Sequence, residues 1–197
     1  MIHWVIAFLS LATANAAFAG LITVDFESDT AGSKGSSYTS PSSSVVTFSG
    51  TSLRVGTWAV ESSGSQALVV FGEESRLDMD FSVDINSLSI DFGNDDPDFI
   101  QDRAILTVFL DAIQVGQTVL LYNKNDFMDE TISVSGIGAF NRANLVYTDN
   151  LGNPFNALAE VVDNVTFYAA EPVSAPATFG LLGFALAGLG WIGRRKA

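Results

Sequence analysis

Five aspartates within a 12-residue stretch form the densest group of side chains with metal-binding chemistry in this sequence. They are Asp91, Asp95, Asp96, Asp98 and Asp102, which surround Pro97. Ca²⁺ requires about six to eight oxygen ligands, so closely spaced carboxylates suit it. The stretch lacks the alternating Asp-x-Asp-x-Asp-Gly series and the closing Glu of an EF-hand. An ordinary solvated turn, in which Asn and Asp favour the backbone conformation, is the other interpretation of the same residues.

Aromatic residues are the second candidate for chemistry, because a flat ring stacks on a pyranose while polar neighbours bond its hydroxyls. The candidates are Tyr38, Trp58 and Tyr122. Tyr38 lies in a Gly/Ser-rich stretch, and we expect its ring to be exposed. Trp58 lies in an alternating stretch, where an aromatic residue more often belongs to the core.

The residue types that are missing exclude several kinds of catalysis. The chain has no cysteine, and His3, its only histidine, lies in a segment that we expect to be removed. A zinc site, a Cys or Ser–His nucleophile and a His general base are thereby excluded from the mature domain. The residue types present still allow glycoside hydrolysis by a pair of carboxylates, although no particular pair stands out. We expect no enzymatic activity and keep a glycan-active hydrolase or lyase as the alternative.

The charge balance indicates which partners the chain avoids. It has 22 acidic and nine basic residues, for a formal net charge of −13, and three of the basic residues lie within the last four positions. Such a surface repels nucleic acid and anionic lipid and attracts divalent cations. We expect no nucleic-acid partner, and calcium in a structural role as the one candidate cofactor.

Strands are the elements that would position these residues. Period-two alternation recurs along the chain, for example in residues 77–81, 88–92 and 105–110, and is interrupted by Gly, Asn, Asp and Ser. This pattern predicts an all-β fold, an antiparallel β-sandwich over residues 20–170. Residues 28–44, 93–101 and 150–156 are predicted loops, and loops on a rigid sandwich are the expected place for binding.

Both ends of the chain have the composition of targeting segments. The small-x-small tripeptide Ala17–Ala19 follows a short apolar run and predicts a signal peptide over residues 1–19, cut by signal peptidase. An uncharged run over residues 179–193 would form a transmembrane helix of about 23 Å. The basic cluster Arg194, Arg195 and Lys196 follows it directly. Basic residues after an apolar segment stay cytoplasmic, which places the body of the chain outside the inner membrane.

Residues 171–197 resemble the PEP-CTERM sorting signal of Gram-negative bacteria, which combines a Pro-containing motif, a hydrophobic helix and an arginine cluster. Val173, Ser174, Ala175 and Pro176 are similar to the Val-Ser-Ala-Pro form of the motif, with Glu171-Pro172 before it instead of Pro-Glu-Pro. The resemblance implies an exosortase as partner, transient inner-membrane anchoring, C-terminal processing, and delivery to the cell surface or extracellular matrix. A plain single-span anchor is the alternative.

Long strands at both ends of the domain predict that the first and last strands pair, as in jelly-roll carbohydrate-binding modules with a galactose-binding-like shape, which the domain resembles. Residues 24–27 and 161–167 are similar to those of the uncharacterised exported domains that usually precede this kind of sorting tail. The resemblance to the jelly-roll modules implies that Glu27 and Asp163 hold a structural calcium. Two exposed or hydrogen-bonded acids are the other interpretation. We therefore expect an exported, non-enzymatic β-sandwich protein associated with exopolysaccharide. A structural or adhesive matrix protein without a defined ligand is a further alternative, beside the hydrolase or lyase.

Overall fold

The computed structural model describes residues 20–57, 65–71, 76–93, 103–121, 128–154 and 160–169. Every regular element in these ranges is a β-strand, which confirms the predicted all-β fold. The strands are β1 (Leu21–Val24), β2 (Gly32–Tyr38), β3 (Val46–Gly56), β4 (Ala67–Phe71), β5 (Leu77–Gly93), β6 (Arg103–Leu110), β7 (Ile113–Leu121), β8 (Glu130–Thr148) and β9 (Glu160–Ala169).

The strands pair antiparallel in the order β1-β9-β4-β3-β5-β8-β6-β7, with β2 on β3 and a further pairing of β5 with β9. The two longest strands, β5 and β8, pair with each other along both halves, and the strand on the other side of β5 changes halfway along its length. The first half of β5 pairs with β3, while its second half pairs with β9. Two register shifts, between Asp80 and Ile85 and between Ile85 and Ser87, mark the change, and the second lies opposite the positive-φ residues Gly136 and Gly138. One continuous sheet thereby forms the two layers of a β-sandwich.

The first layer contains β2, β3, β6, β7 and the adjoining halves of β5 and β8, and the second contains β1, β9 and the other halves. β4 joins the layers, because it pairs with both β3 and β9. As predicted, the first and last strands pair, with Val24 opposite Val165.

One apolar core lies between the layers. Alternate residues of β5, β6 and β8 are buried there, as in β6, where Ala104, Leu106 and Val108 are fully buried. Three aromatic contacts connect the layers, at ring-centroid distances of 5.0–6.0 Å: Phe26 with Phe48, Phe81 with Phe167, and Phe92 with Tyr147. The Tyr147 hydroxyl donates to the Gly93 carbonyl at 2.7 Å. This bond satisfies a polar group that would otherwise destabilise the core.

The prediction that residues 28–44 form only a loop was wrong, since β2 lies within it. Its composition, rich in Gly and Ser, has low strand propensity. β2 nonetheless pairs with β3, with two register shifts around Gly35, whose φ is +75°. Pairing with an existing strand and packing of Tyr38 on the core outweigh that propensity.

The predicted signal peptide, residues 1–19, and the predicted sorting tail, residues 171–197, lie outside the described ranges. Within those ranges, no helix has the length and apolar character needed to cross a membrane. The described strands all belong to one compact unit, Ala19–Ala170.

Candidate functional site

A row of six polar residues crosses six neighbouring strands on the solvent-facing side of the first layer. Directly opposed residues on adjacent strands point to the same side of a sheet. The strand registers therefore align these side chains, and Asp78, Asn144 and Thr107 each have buried core residues on both sides in the sequence. We call this set the polar row: Ser37, Ser49, Asp78, Asn144, Thr107 and Gln117.

The polar row combines fixed and available hydrogen-bonding groups. The Gln117 side-chain amide donates to the Thr107 hydroxyl at 3.0 Å, and Arg76 Nε donates to Asp78 Oδ2 at 2.9 Å. Asn144 lies between Thr107 and Asp78 and is half-buried. Its amide makes no side-chain hydrogen bond to any other residue in the described part of the chain. The centre of the row thus keeps both a donor and an acceptor for a ligand.

An aromatic residue and an arginine form the next row on the same face. Phe109 of β6 lies opposite Arg142 of β8, and the guanidinium carbon is 4.9 Å from the ring centroid. This distance is that of a cation–π contact. Asp80 follows on β5, opposite Arg142. Arg142 Nε is buried, and among the described residues it has no hydrogen-bond partner. We call the guanidinium and the ring the Phe109–Arg142 platform. It lies beside Asn144, because Arg142 and Asn144 are two residues apart on β8 and point to the same side.

An apolar row flanks the other side of the polar row, formed by Val119, Ile105 and Val146 on β7, β6 and β8. We call the three rows together the outer face. At its β3 end the outer face contains an open groove of about 490 Å³. Its lining consists of Ser36, Ser49, Gly50, Thr51, Arg76 and Asp78. Gly50 is required there, since a Cβ at this position would lie 2.6 Å from Val70 Cγ1.

The structure brings together two acidic residues that the sequence assigned to different candidate sites. Asp91 of β5 lies directly opposite Asp163 of β9. A one-residue bulge follows in β9, where Asn164 has a φ of +43°. Asp163 is fully buried, and its Oδ1 accepts from the Asn164 backbone N–H at 2.7 Å. Asp91 accepts from the Thr131 hydroxyl at 2.7 Å and from Asn164 Nδ2 at 3.0 Å.

Glu27 approaches the same region from the first strand. β9 exchanges β1 for β4 as its neighbour between Val165 and Val162. Glu27 follows β1, and its Oε1 accepts from the backbone N–H groups of Ser65 and Gln66 at 2.8 and 2.7 Å, just before β4. We call the point where β9 exchanges β1 for β4 the strand junction. Asp163 lies on β9 at this point, and Glu27 lies on the neighbouring segment, bonded to residues 65 and 66.

A further feature of the strand junction is a set of converging carbonyls. Gln66 Nε2 lies 3.0–3.3 Å from the carbonyl oxygens of Phe26, Glu27 and Asp29. An amide nitrogen has two hydrogens, so it cannot satisfy all three fully. In the described ranges, no group of three or more Asp, Glu, His or Cys side chains has a geometry suited to a metal ion. Asp95, Asp96, Asp98 and Asp102 lie outside those ranges.

Tyr38, the one aromatic candidate within the described ranges, does not belong to the platform on the outer face. Tyr38 is half-buried and packs against the core, and Lys34 Nζ lies 4.6 Å from its ring centroid, so the expectation of an exposed ring was wrong. Burial, then hydrogen bonding to Asp29 and the charge of that carboxylate, raises the pKa of Tyr38. Trp58 and Tyr122 lie outside the described ranges.

Sequence reasoning missed Phe109, Arg142 and Asn144. The available signal was weak: residues 105, 107 and 109 alternate with buried residues, and so do 142, 144 and 146. Alternation assigns each residue to the outer side of its own strand. It does not indicate which residues of two strands lie opposite each other.

No protein-family model and no curated protein matches the sequence. Solved structures with similar folds include an arabinose-bound α-L-arabinofuranosidase of family GH51, with a TM-score of 0.49 and 9% identity over 79% of this chain and 27% of that chain. A DUF4465 family protein from Bacteroides caccae has a TM-score of 0.38 and 10% identity, over 85% of this chain and 99% of that chain. A family 16 carbohydrate-binding module has a TM-score of 0.36 and 12% identity, over 58% of this chain and 84% of that chain. Likenesses at these values carry no conclusion about a ligand.

Proposed function

We propose that this chain is an exported, non-enzymatic β-sandwich protein of jelly-roll shape that binds exopolysaccharide on its outer face. The observation that carries the proposal is the polar row with Asn144 at its centre, bordered by the Phe109–Arg142 platform. Sugars present hydroxyls around the ring edge and C–H groups on the ring face. A surface with hydrogen-bonding groups beside a flat platform is complementary to both.

The dimensions of the outer face suit a polymer. Neighbouring strands lie about 4.8 Å apart, so a row across six strands extends roughly 24 Å. A glycan chain lying along the polar row would place one ring on Phe109 and Arg142. Its hydroxyls would then reach the Asn144 amide and the Asp78 carboxylate, which Arg76 already orients. An open face of this kind admits internal segments of a long chain.

The delivery part of the proposal rests on the sequence alone. Signal peptidase would release the first 19 residues, and an exosortase would process residues 171–197 at the inner membrane. The product would reach the cell surface or extracellular matrix, where exopolysaccharide is available. We further propose a structural calcium at the strand junction, supported by the buried carboxylate of Asp163 and the carbonyls that converge on Gln66.

A glycan array tests the binding proposal, probed with the purified chain in calcium and in chelator. We expect retention of one polysaccharide class and its loss in Asn144→Ala and Phe109→Ala. Matched controls are Asn86→Ala and Tyr168→Ala, since both residues are exposed and lie outside the outer face. Equal loss in the controls, or no retention of any glycan, would reject the outer face as the binding site. The second result would favour the structural or adhesive role.

One observation favours the hydrolase alternative. Asp78 and Asp80 lie on the same side of β5, two residues apart, so their Cα atoms are about 6.6 Å from each other. Glycosidases use two carboxyl groups separated by about 5–10 Å. Assaying reducing ends released from the retained polysaccharide distinguishes the two functions. If the wild type releases reducing ends and both Asp78→Asn and Asp80→Asn lose this release, the function is hydrolysis of the polysaccharide and not binding alone.

A further inference from the structure

The charges on and around the outer face disfavour both acidic and basic polymers. Its three rows contain Asp78, Asp80 and Arg142, and Arg76 and Arg103 border them. The chain as a whole has a net charge of −13, so it repels a polyanion at long range. The three arginines repel a polycation at close range, where Asp78 is already paired with Arg76. A neutral polysaccharide avoids both repulsions.

The three rows succeed one another in a fixed order across the outer face. On β8, Arg142 of the platform is followed by Asn144 of the polar row and Val146 of the apolar row, and β6 repeats this order opposite them. Successive rows lie about 7 Å apart, since they are two residues apart on a strand. A sugar ring stacked on the platform turns its edge toward the polar row. The group that reaches the apolar row is therefore a substituent of the ring edge.

The apolar row indicates the chemistry of that substituent. Val119 is 47% exposed, and Ile105 and Val146 are half-buried beside it. A sugar hydroxyl laid against these side chains loses its water and gains no hydrogen bond. A methyl group in the same place is removed from water together with the side chains that it covers. The apolar row therefore favours a ring substituent that ends in a methyl group.

We propose that the outer face selects a neutral polysaccharide of N-acetylated amino sugars, an inference that rests on the proposed glycan-binding function. An acetamido group has its polar and apolar parts in the same order as the rows. It is a planar trans amide, in which the N–H and the methyl group lie on the same side. Donation of this N–H to Asn144 Oδ1 therefore directs the methyl group toward Ile105 and Val146. The Asn144 side-chain N–H groups stay available for a neighbouring sugar hydroxyl.

A free hydroxyl or a free amine at the same ring position fits the outer face less well. The hydroxyl can bond to Asn144, but it leaves the apolar row in water. An ammonium group also leaves the apolar row uncovered, and it lies close to the positive charge of Arg142. Burial of one methyl group on an apolar surface changes an affinity by about fourfold. The preference for the acetamido group should therefore be at least about fourfold.

Isothermal titration calorimetry of the purified full-length chain tests the inference, in a detergent without a sugar headgroup. The ligands are three hexamers that share one β-1,4-linked backbone and differ at one ring position: chitohexaose carries an acetamido group, cellohexaose a hydroxyl, and the glucosamine hexamer an ammonium group. We expect chitohexaose to bind at least about fourfold more tightly than either of the other two.

A pair of variants tests the role of the apolar row. Val146→Thr keeps the shape of the side chain and adds a hydroxyl, so the affinities for chitohexaose and cellohexaose should become about equal. Val83→Thr is the matched control, since Val83 is 40% exposed and lies in the register-shifted stretch of β5 outside the three rows. It should keep the full preference. Weakening of both hexamers by the same factor in Val146→Thr would contradict the assignment, because a merely structural role has that result.

The outcomes separate this inference from the proposed function. Cellohexaose that binds as tightly as chitohexaose, and less tightly in Phe109→Ala, overturns the selection of acetamido groups and leaves glycan binding by the outer face standing. If no hexamer binds, the glycan array decides. Retention confined to N-acetylated polymers supports the inference, and retention of polymers without acetamido groups overturns it. The absence of any retained glycan rejects the proposed function and the inference together.

Discussion

Replacing Asn164 with alanine should destabilise the sandwich through two separable effects. Asn164 has a φ of +43° in the bulge of β9, a left-handed conformation that asparagine and glycine adopt more readily than alanine. Its side-chain amide also donates to Asp91 Oδ2 at 3.0 Å. Asn164→Ala removes the bond and strains the backbone, whereas Asn164→Gly removes the bond and keeps the backbone relaxed.

The size of each effect follows from these contacts. The left-handed conformation costs a residue with a Cβ about 1–2 kcal/mol. A hydrogen bond to a charged group contributes about 1.5–3 kcal/mol, and the lower end applies because both partners are partly exposed. We therefore expect Asn164→Ala to lower the free energy of unfolding by about 2.5–3.5 kcal/mol. Asn164→Gly should lower it by roughly 1 kcal/mol less, since only the lost bond remains.

Thermal unfolding followed by circular dichroism measures both variants. In a domain of this size, 1 kcal/mol corresponds to about 2–4 °C, so Asn164→Ala should unfold roughly 5–14 °C below the wild type. Asn164→Gly should lie between the two. The reasoning is refuted if glycine destabilises as much as alanine, because backbone conformation would then contribute nothing at this bulge.

Three further predictions concern pH, calcium and processing. Burial and Asp29 raise the pKa of Tyr38 above its ordinary 10.0. The contribution of the neutral Tyr38 to the free energy of unfolding is therefore fully present below pH 10 and is lost as the pH rises above it. Tyr38→Phe should make the fall in unfolding temperature above pH 10 shallower, and an unchanged slope contradicts this. Saturating calcium should raise the unfolding temperature, by about 2.7 kcal/mol of stability at a hundredfold excess over Kd. Asp163→Asn should lose this shift while Asp96→Asn keeps it, and identical melting curves in calcium and chelator dismiss the site. Finally, intact mass spectrometry of surface-exposed protein should show that residues from about 179 onward are absent, whereas recovery of the full C-terminus indicates a permanent anchor.

Alternation of side chains made most of the fold predictable. The buried residues 77, 79 and 81 of β5 and 104, 106 and 108 of β6 follow directly from the period of two. β2 was missed because Gly and Ser have low strand propensity, and its pairing with β3 depends on contacts distant in sequence. The missed strand also explains why the expectation of an exposed Tyr38 ring was wrong. The ring would be exposed in a loop, but at the end of β2 it packs on the core.

The outer face was not predictable, because it depends on register between strands. The alternation assigns Thr107 and Asn144 only to the outward side of their own strands. The pairing of β6 with β8 is what makes them neighbours. The acidic residues show the same limit. Asp91 and Asp163 belong to separate stretches of sequence, and the pairing of β5 with β9 places them opposite each other. A slip of one residue would move every side chain of a strand to the other side.

The most direct test of the central claim is a comparison of glycan affinities by isothermal titration calorimetry, with the polysaccharide identified on the array. The account predicts that Phe109→Ala weakens binding at least about tenfold, equivalent to about 1.4 kcal/mol. Tyr168→Ala, which removes an aromatic residue that is 48% exposed on the second layer, should leave the affinity within about twofold of the wild type. Equal affinity of Phe109→Ala and the wild type would contradict the assignment of the outer face as the binding surface.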